Sequence, residues 1–529
     1  MPQPRNPMAM TCRRIALFGL MIANLIALAA AAETDDFFTV KVTGGTIRGT
    51  ERGDGALFAG IPYARPPVGM LRWQPPAPVE PWAGERDAAE PGSSALQPDL
   101  GWNKTQRETQ SEDCLYLNVL TSEWPAEGKR PVIVYIHGGA NIGGAGWDHL
   151  LIHTTLPEHG VVLVSLNYRL GVFGFFAHPG LTAGSPRRAS GNYGLMDQIA
   201  ALRWVRDNIA KFGGDPDNVT VMGQSAGAQD IGLLMVSPQA RGLMKRAILE
   251  SGPVVSIGAF GYKPLAEAER AGEVFGRELG CADIGAMRAL PADQLIAEAA
   301  QQQLPTGPII DGWVLAEEPG VTFAAGRAAP IPLLVGSNAR EFMFHGTREE
   351  LRVQIEQDFG SLAPRAMKLY GLAAGLPAMA MDPVLGSAGD QFVTDMVFRG
   401  SASLLAIWQS AAGHPTWRYQ FSRTPIGHED EGAAHSAELP FVFGEMVPNG
   451  LGADYNAADK ALCEAMQRYW VNFAASGDPN GASVPEWPRF DPKKRAYVEF
   501  LAEGPRAKAG LRRKFADLYR ERYEQQHAP

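Results

Sequence analysis

Residues 212–227 of this 529-residue chain, FGGDPDNVTVMGQSAG, decide the fold. They place Ser225 in a Gly-x-Ser-x-Gly pentapeptide, directly after residues 219–222, an apolar run typical of a short buried strand. On a strained turn between a strand and a helix, the flanking glycines have no Cβ and let the two elements approach closely. The serine hydroxyl then stands exposed at the edge of a sheet. We therefore predict that Ser225 is a catalytic nucleophile.

The pattern of apolar residues along the chain alternates between strands and helices. Residues 198–212 have helical spacing, whereas residues 38–49 alternate as short antiparallel strands do. Buried strands are predicted at 131–137, 160–167, 219–222, 246–250, 331–336 and 416–421, several of them nearly continuous apolar runs. This pattern predicts an α/β fold with a central, mostly parallel sheet, helices on both of its faces and a small N-terminal antiparallel sheet.

The first 32 residues have the features of a cleaved signal peptide. Three arginines precede an apolar run at 15–28, and small residues follow at 30–32. That run is shorter than the roughly 20 residues of a membrane-spanning helix, which disfavours the alternative of a membrane anchor. We expect a bacterial protein that is secreted or periplasmic, with residues 33–529 as a single catalytic domain. The Sec and twin-arginine routes both remain open.

Charge and cysteine content restrict the partners and cofactors. Loss of residues 1–32 removes three arginines and no acid, so the net charge moves from −9 to −12. This charge disfavours nucleic acid and a stable association with anionic membranes. Cys114, Cys281 and Cys463 remain, and an odd number leaves at least one free thiol or an intermolecular bridge. No cysteine–histidine spacing indicates a metal site, and we expect no cofactor.

Several separated stretches resemble the type-B carboxylesterases, a family of α/β-hydrolases that also includes cholinesterases and related lipases. The stretches are FAGIPYARPPVGMLRW from Phe58, SEDCLYLNV from Ser111, NYRLGVFGFF from Asn167, GNYGLMDQIAALRWV from Gly191, AILESG from Ala247 and FAASGDPN from Phe473. They occur in the order that the family has. The resemblance implies an α/β-hydrolase fold and the hydrolysis of carboxylic esters through an acyl-enzyme.

A serine nucleophile needs a base and an acid that orients the base, and in α/β-hydrolases the acid and the histidine follow the serine in that order. Glu341 ends the sequence SNARE after the strand predicted at 331–336, where the family has its acid, and we prefer it to Asp311. The sequence HSAELPFVFG resembles the histidine loop of the family, which makes His435 the predicted base rather than His428.

The oxyanion of an acyl-transfer intermediate needs preorganised N–H donors. The residue after the nucleophile, Ala226, supplies one, and the resemblance assigns the others to Gly139 and Ala140 after the strand at 131–137. Many relatives have a third glycine and an aromatic residue here, where this chain has Ala140 and Asn141. We expect Asn141 to contact a polar substrate or to support the loop; the alternative is a local hydrogen bond within the turn.

Cys114 lacks the partner that the resemblance implies. Relatives close a loop between this cysteine and another that would fall near Ala95. We expect the loop at 95–114 to be held only by packing and therefore to be mobile. Its many charged residues make it too polar for the lid of a lipase.

The substrate is left open by the sequence. An exported bacterial esterase with a polar residue beside the oxyanion loop resembles the fumonisin esterases, which release tricarballylic acid. Arg340 and Arg399 are candidate partners for such a polyanionic substrate, or else members of surface ion pairs. The alternatives are a general carboxylesterase or lipase that acts on neutral esters, and a non-catalytic adhesion protein of cholinesterase type. The complete set of Ser225, Glu341 and His435 disfavours the adhesion protein.

Overall fold

The structure is a computed structural model that describes residues 37–255, 261–375, 379–446 and 455–527. The predicted signal peptide, residues 1–32, lies outside the described residues. Within the described ranges, the chain forms sixteen strands: β1 Thr39–Val42, β2 Gly45–Arg48, β3 Thr50–Arg52, β4 Gly55–Pro62, β5 Glu85–Asp87, β6 Tyr116–Thr121, β7 Arg130–Ile136, β8 Val162–Leu166, β9 Gly214–Gln224, β10 Arg246–Glu250, β11 Lys263–Pro264, β12 Ile309–Ile310, β13 Leu333–Asn338, β14 Thr416–Phe421, β15 Ala496–Leu501 and β16 Gly504–Ala509.

Eleven of these strands form one large mixed sheet. Their order is β16-β15-β14-β13-β10-β9-β7-β8-β6-β4-β3. The run from β15 to β8 is parallel, and antiparallel strands stand at both ends. Parallel neighbours need long crossover connections, which here contain most of the helices. The predicted central, mostly parallel sheet is therefore confirmed.

The α-helices lie between the strands and beyond the last one. They are α1 Lys104–Glu108, α2 His149–Ile152, α3 Gly171–Gly174, α4 Pro179–Gly184, α5 Tyr193–Asn208, α6 Ala226–Val236, α7 Leu265–Glu278, α8 Ile284–Arg288, α9 Ala292–Gln301, α10 Pro319–Ala324, α11 Arg348–Phe359, α12 Ala363–Leu369, α13 Ala388–Thr394, α14 Gly400–Ala411, α15 Leu439–Phe443, α16 Ala457–Ser476 and α17 Arg513–Gln526. A π-helical segment, Asp395–Arg399, precedes α14. Short 3-10 helices are at Gly69–Leu71, Leu156–His159, Ile209–Phe212, Pro238–Ala240 and Gly360–Leu362. Within the described ranges, no helix combines the length and apolar character needed to cross a membrane.

Helices cover both faces of the sheet, and strand β7 shows why its sequence requires this. Val132, Val134 and Ile136 belong to one buried cluster, which also contains side chains of α5 and α6. Ile133 and Tyr135, which alternate with them, belong to a second cluster that contains side chains of α15 and α16. Successive side chains of a strand point to opposite faces, so an unbroken apolar run is buried only if both faces are covered.

The N-terminal hairpin is antiparallel as predicted, with β1 paired to β2. The third strand of this small sheet, β5, pairs with β2 in parallel, so the sheet is mixed and not antiparallel throughout. The strands predicted at 246–250 and 416–421 are observed at those residues. The helix predicted at 198–212 begins earlier, at Tyr193, and ends in the 3-10 helix Ile209–Phe212.

Five neighbouring parallel strands end at one edge of the large sheet, and this edge carries the predicted site residues. In spatial order they are β14, β13, β10, β9 and β7. Ser225 directly follows β9, Glu341 lies three residues after β13, and His435 lies in the loop after β14. Ligands of open α/β sheets bind outside the carboxyl ends of the strands. The fold therefore brings the separate motifs together at this edge.

Candidate active site

Ser225 occupies a strained turn between β9 and α6. Its backbone angles, φ of 57° and ψ of −124°, lie in a region that residues other than glycine rarely adopt. The turn is held because the Ser225 N–H donates to the Glu250 carbonyl on the neighbouring strand at 2.8 Å. A side chain at Gly227 would collide with the carbonyl of Ile136, so only glycine allows α6 to approach β7 this closely. The local sequence thus fixes the direction of the serine hydroxyl.

His435 lies between Ser225 and Glu341. Its Nε2 is 2.9 Å from Ser225 Oγ, and its Nδ1 is 2.7 Å from Glu341 Oε2. An ionised carboxylate only accepts hydrogen bonds, so Nδ1 carries the hydrogen and Nε2 is free to accept the serine proton. The structure therefore brings together the three residues predicted as nucleophile, base and orienting acid, in the order that base-assisted attack requires.

Glu341 is almost completely buried and held by several donors. Its Oε1 accepts from the backbone N–H of Asn338 at 2.7 Å and from Ser251 Oγ at 2.6 Å. The Glu341 carbonyl accepts from the His435 N–H at 2.9 Å, which ties the loop of the base to the turn of the acid. The carboxylate is therefore fixed at both oxygens, one by the scaffold and one by the imidazole.

Charge around His435 favours its protonated form. Burial lowers the pKa of His435, but the hydrogen bond and charge of Glu341, with the charge of Glu438 behind it, outweigh burial and raise the pKa above 6.5. Glu438 is itself buried, and this burial, together with the charge of Glu341, raises its pKa to about 7. Glu341 and Glu438 thus stabilise an imidazolium formed on His435 during the reaction.

The rival residues have other roles. Asp311 Oδ1 accepts backbone N–H bonds from Trp313, Val314 and Leu315 at 2.8–3.0 Å, which makes it the organiser of a turn. His428 lies 3.3 Å from Glu431 and does not contact Ser225 or Glu341. The geometry therefore favours Glu341 and His435 over both.

The predicted oxyanion donors lie on two elements beside Ser225. Gly139 and Ala140 are in the loop after β7, with positive φ angles of 104° and 56°, and Ala226 is the first residue of α6. Within the described residues, the N–H groups of Gly139 and Ala140 donate to no protein acceptor. A side chain at Gly138 would lie 3.0 Å from Ser225 Cβ, so the glycine lets the loop lie against the nucleophile. This arrangement is suited to binding an oxyanion.

Asn141 does not contact the space in front of Ser225. Its side chain is buried, and its Nδ2 donates to Asp230 Oδ1 on α6 at 3.1 Å. The cavity that contains Ser225 is lined by Ala140 and Ile142 but not by Asn141. The structure therefore gives no support to a substrate contact of Asn141 and agrees with the other part of the expectation, that Asn141 supports the loop. The bond to Asp230, 89 residues away, is not the local turn bond of the alternative.

The cavity in front of Ser225 has a volume of about 470 Å³ and a mostly apolar wall. Apart from the reacting groups, it is lined chiefly by Leu100, Trp102, Tyr135, Ile142, Leu150, Leu151, Phe342, Leu439 and Phe443. The one carboxylate among its described lining residues is Asp148, whose pKa burial raises to about 6, although Gln106 lowers it by a hydrogen bond. No lysine or arginine is among those lining residues.

Neither predicted arginine reaches this cavity. Arg340 is buried in an ion pair with Asp390 at 2.8 Å, and Arg399 in one with Asp395 at 2.5 Å. Arg399 also donates to the Ala339 carbonyl at 2.5 Å, so it supports the turn that leads to Glu341. The two guanidinium groups thus have internal partners, and these pairs are buried where the sequence suggested surface pairs. A charged residue next to a site motif does not show from sequence whether it points inward or outward.

The loop at 95–114 is held by polar contacts, so the prediction that packing alone holds it is wrong. Gln97 Oε1 accepts from the Gly144 N–H at 3.0 Å, and Gln97 Nε2 donates to the Gly144 carbonyl at 3.1 Å. Asn103 Nδ2 also donates to Gln97 Oε1, and Gln106 contacts Asp148. These buried amide contacts join the loop to the segment around Gly144 and Asp148.

All three cysteines in the described residues are free thiols. Cys114 is buried, and this burial raises the pKa of its thiol. These thiols agree with the prediction of at least one free thiol or an intermolecular bridge. Among the described histidines, cysteines and acids, no group of three or more could hold a metal ion.

Several residues of the site were missed by sequence reasoning. Ser251 and Asn338 hold Glu341, Glu438 lies behind His435, and Gln224 Nε2 approaches His435 Nε2 to 3.3 Å. Signals were available, because Gln224, Asn338 and Glu438 lie inside the motifs of the nucleophile, the acid and the base. Ser251 directly follows β10, which lies between the strands of the nucleophile and the acid.

Comparison with known proteins agrees with the geometry. The profile of the carboxylesterase family matches residues 36–369 and 380–518. The chain is 38% identical to the fumonisin B1 esterase of Sphingopyxis macrogoltabida, over 88% of this chain and 87% of that protein. It is 37% identical to the para-nitrobenzyl esterase of Bacillus subtilis, over 85% of this chain and 92% of that protein.

Solved structures show the same fold. A PNB esterase superposes with a TM-score of 0.80 at 34% identity, covering 91% of this chain and 99% of that one. The carboxylesterase of Geobacillus stearothermophilus superposes with a TM-score of 0.79 at 33% identity, covering 91% and 100%. From the family match, these relatives and the shared fold, the chain belongs to the type-B carboxylesterase family and is a carboxylic ester hydrolase.

Proposed function

We propose that this hydrolase acts through an acyl-enzyme on Ser225, with His435 as base and Glu341 as the orienting acid. The observation that carries the proposal is the continuous hydrogen-bonded line from Ser225 Oγ through His435 to Glu341, with distances of 2.9 and 2.7 Å. A serine hydroxyl is a weak nucleophile until a neighbouring base accepts its proton. This line provides that base at the floor of the cavity.

In the first half of the reaction, His435 Nε2 accepts the proton of Ser225 as Oγ attacks the ester carbonyl carbon. The negative oxygen of the tetrahedral intermediate accepts N–H bonds from Gly139, Ala140 and Ala226, each donor contributing about 3 kcal/mol. The carbon–oxygen bond then breaks, and His435 gives its proton to the leaving alcohol. Glu341 stabilises the imidazolium throughout.

Water completes the cycle. His435 Nε2 accepts a proton from a water molecule as that water attacks the acyl carbon. The second tetrahedral intermediate uses the same N–H donors, and its collapse breaks the bond to Ser225 Oγ. The proton on His435 returns to Ser225, and the carboxylic acid leaves. No proton or electron pair is left over, so the described side chains suffice for the cycle.

We propose neutral esters with apolar groups as the substrates that this cavity accepts best. Its wall is built from leucines and aromatic rings, and burying apolar groups there contributes roughly 25 cal/mol per Å². Asp148 is the acid in the wall, and no described lining residue is a lysine or an arginine. A substrate carboxylate would therefore be desolvated without a partner, which is costly.

A fumonisin ester is the second candidate, and one observation favours it. The chain is 38% identical to a fumonisin B1 esterase over 88% of its length. Release of tricarballylic acid would bring carboxylates into or next to the cavity. Because Arg340 and Arg399 are paired with buried acids, the described lining offers these carboxylates no cation. The likeness to that enzyme and the electrostatics of the cavity therefore favour different substrates.

A single assay separates the two candidates. The purified protein is given p-nitrophenyl butyrate and fumonisin B1 in parallel, and acid release is measured, with Ser225→Ala as the control. We expect a larger kcat/KM for the butyrate ester, abolished by the substitution. A larger kcat/KM for fumonisin B1 would overturn the proposal of neutral esters. Hydrolysis of either ester that survives Ser225→Ala would overturn the proposed nucleophile.

We also propose that the protein is exported after cleavage near Ala32. The basic, apolar and small-residue segments within residues 1–32 support this. Expression of the full chain in a bacterial host, followed by N-terminal sequencing of the periplasmic and secreted fractions, tests it. A mature protein that begins near Glu33 is expected; an uncleaved chain found only in the cytoplasm would overturn the proposal.

A further inference from the structure

The proposed oxyanion donors lie on two separate elements, and one polar bridge connects these elements directly. Gly139 and Ala140 belong to the loop after β7, whereas Ala226 begins α6. Asn141, the next residue of the loop, donates from Nδ2 to Oδ1 of Asp230, which lies one turn into α6, at 3.1 Å. The relative position of the donors thus depends on a contact that lies outside the active-site cavity.

The loop has a backbone conformation that needs support. Ala140 and Asn141 are consecutive residues other than glycine with φ angles of 56° and 60°. Such a pair persists only when its surroundings hold it, and asparagine tolerates this region better than most residues. The Asn141 carbonyl accepts from the Gly171 N–H at 2.7 Å, which holds the backbone, while Asp230 holds the side chain.

Asp230 is itself fixed from the opposite side. It is fully buried, and its Oδ2 accepts from Gln198 Nε2 on α5 at 2.6 Å. Burial raises the pKa of Asp230 to about 7, while the hydrogen bonds from Gln198 and Asn141 counteract part of this. A buried carboxylate between two amide donors has only a narrow range of positions, because leaving either oxygen unpaired is costly. The line Gln198–Asp230–Asn141 therefore anchors the loop to the helix core.

We propose that Asp230 is a positioning residue, which acts through Asn141 to set the distance between the loop donors and the donor of Ala226. Asp230 and Asn141 do not line the active-site cavity, so neither touches the ester. The proposal rests on the acyl-enzyme mechanism, in which these N–H groups bind the oxyanion. Donors of this kind work only when preorganised to within fractions of an ångström, so loosening the loop weakens transition-state binding more than substrate binding.

The test uses Asp230→Ala and Asn141→Ala, each alone and together, with p-nitrophenyl butyrate as substrate. Each single variant is expected to lower kcat by about 10- to 100-fold with KM nearly unchanged, since part of the oxyanion stabilisation is lost. The double variant is expected to lose little more than either single variant, because both substitutions break one contact. A trifluoromethyl ketone, whose adduct with Ser225 carries an oxyanion, should lose affinity by the same factor as kcat/KM.

Two further variants keep the outcome decisive. In Asp230→Asn, the new amide oxygen can still accept from one neighbouring amide, and its nitrogen can donate to the other after that one rotates, so the variant should retain kcat to within about threefold. Asn208→Ala removes a buried amide from the far end of α5, where Asn208 bonds to Thr43 and Trp204. It should lower the melting temperature as Asn141→Ala does but leave kcat unchanged.

Each result bears on the proposal. A fall in melting temperature with kcat and ketone affinity retained in Asn141→Ala and Asp230→Ala would overturn it, and would leave a structural bridge only. If Asp230→Ala fails to fold, Asn141→Ala and Asp230→Asn still decide. Failure of the wild-type protein to form the ketone adduct on Ser225 would instead overturn the proposed mechanism, so the two failures are distinguishable.

Discussion

The two sides of the active site are built in different ways. The acid–base side consists of Ser225, His435 and Glu341, held by side-chain hydrogen bonds of 2.6–2.9 Å, two of which end on the buried carboxylate of Glu341. The oxyanion side consists of backbone N–H groups on the loop after β7 and on Ala226. The positive φ angles of that loop are held by the contacts of Asn141 with Asp230 and Gly171. One side depends on charge, and the other on geometry.

This difference predicts how each side responds to change. On the acid–base side, a single substitution removes a reacting group, and the remaining groups cannot replace it. On the oxyanion side, the donors are backbone N–H groups, so a side-chain substitution removes none of them. It can only shift their positions. We therefore expect the largest losses of activity from Ser225, Glu341 and His435, and smaller, correlated losses from residues that hold the loop.

The largest effect is expected for Ser225→Ala. It removes the nucleophile, and comparable substitutions in serine hydrolases lower kcat by about 10⁶-fold. Loss of p-nitrophenyl butyrate hydrolysis, with the melting temperature unchanged to within a few degrees, would support Ser225 as the nucleophile of the acid–base side. Retention of more than about one thousandth of the wild-type kcat would show that another group attacks the ester.

Glu341→Gln is expected to lower kcat by about 10⁴-fold, since the imidazolium loses its counter-charge and the histidine tautomer is no longer fixed. The side chain keeps its size, so the contacts with Ser251 and Asn338 are disturbed less than by truncation. Steady-state kinetics of the purified variant provide the measurement. A loss of only tenfold or less would mean that Asp311 or another acid orients His435. The acid–base side would then not be the more sensitive side of the site.

The acid–base side was accessible from the sequence because its members lie in recognisable stretches. Ser225 has its pentapeptide, Glu341 ends SNARE after a strand, and His435 begins HSAELPFVFG. The parallel sheet was equally accessible, because strands such as β7 are continuous apolar runs that need cover on both faces. The sequence of such a strand therefore predicts its burial directly.

The contacts that hold the oxyanion side were not accessible. Asn141 and Asp230 are 89 residues apart, and no local pattern shows that an amide points toward a helix and not toward the substrate. The ion pairs of Arg340 and Arg399 were among the roles predicted, but their burial was not accessible for the same reason, because their partners are set by tertiary packing. The hydrogen bonds between Gln97 and Gly144, which hold the loop at 95–114, likewise appear only in the folded loop.

The pH dependence of kcat/KM follows from the raised pKa of His435. The base must be neutral to accept the Ser225 proton, so activity should fall about tenfold per pH unit below that pKa. The acid limb should have its midpoint above 6.5, since Glu341 and Glu438 raise the pKa of His435 despite its burial. Initial rates with p-nitrophenyl butyrate, corrected for p-nitrophenol ionisation, give the profile. A midpoint below 6.5 would contradict this electrostatic description.

The smallest effect is expected from a reducing agent, which should change neither kcat nor the melting temperature. Cys114, Cys281 and Cys463 are free thiols, and the loop at 95–114 is held instead by the amides of Gln97 and Asn103. Thiol titration of the denatured, unreduced protein without its first 32 residues should find all three. Fewer than three titratable thiols, or a lower melting temperature under reducing conditions, would mean that a disulfide contributes to stability. In that case, the two hydrogen bonds from Gln97 would be less important for holding the backbone of Gly144, close to the oxyanion loop, than the structure implies.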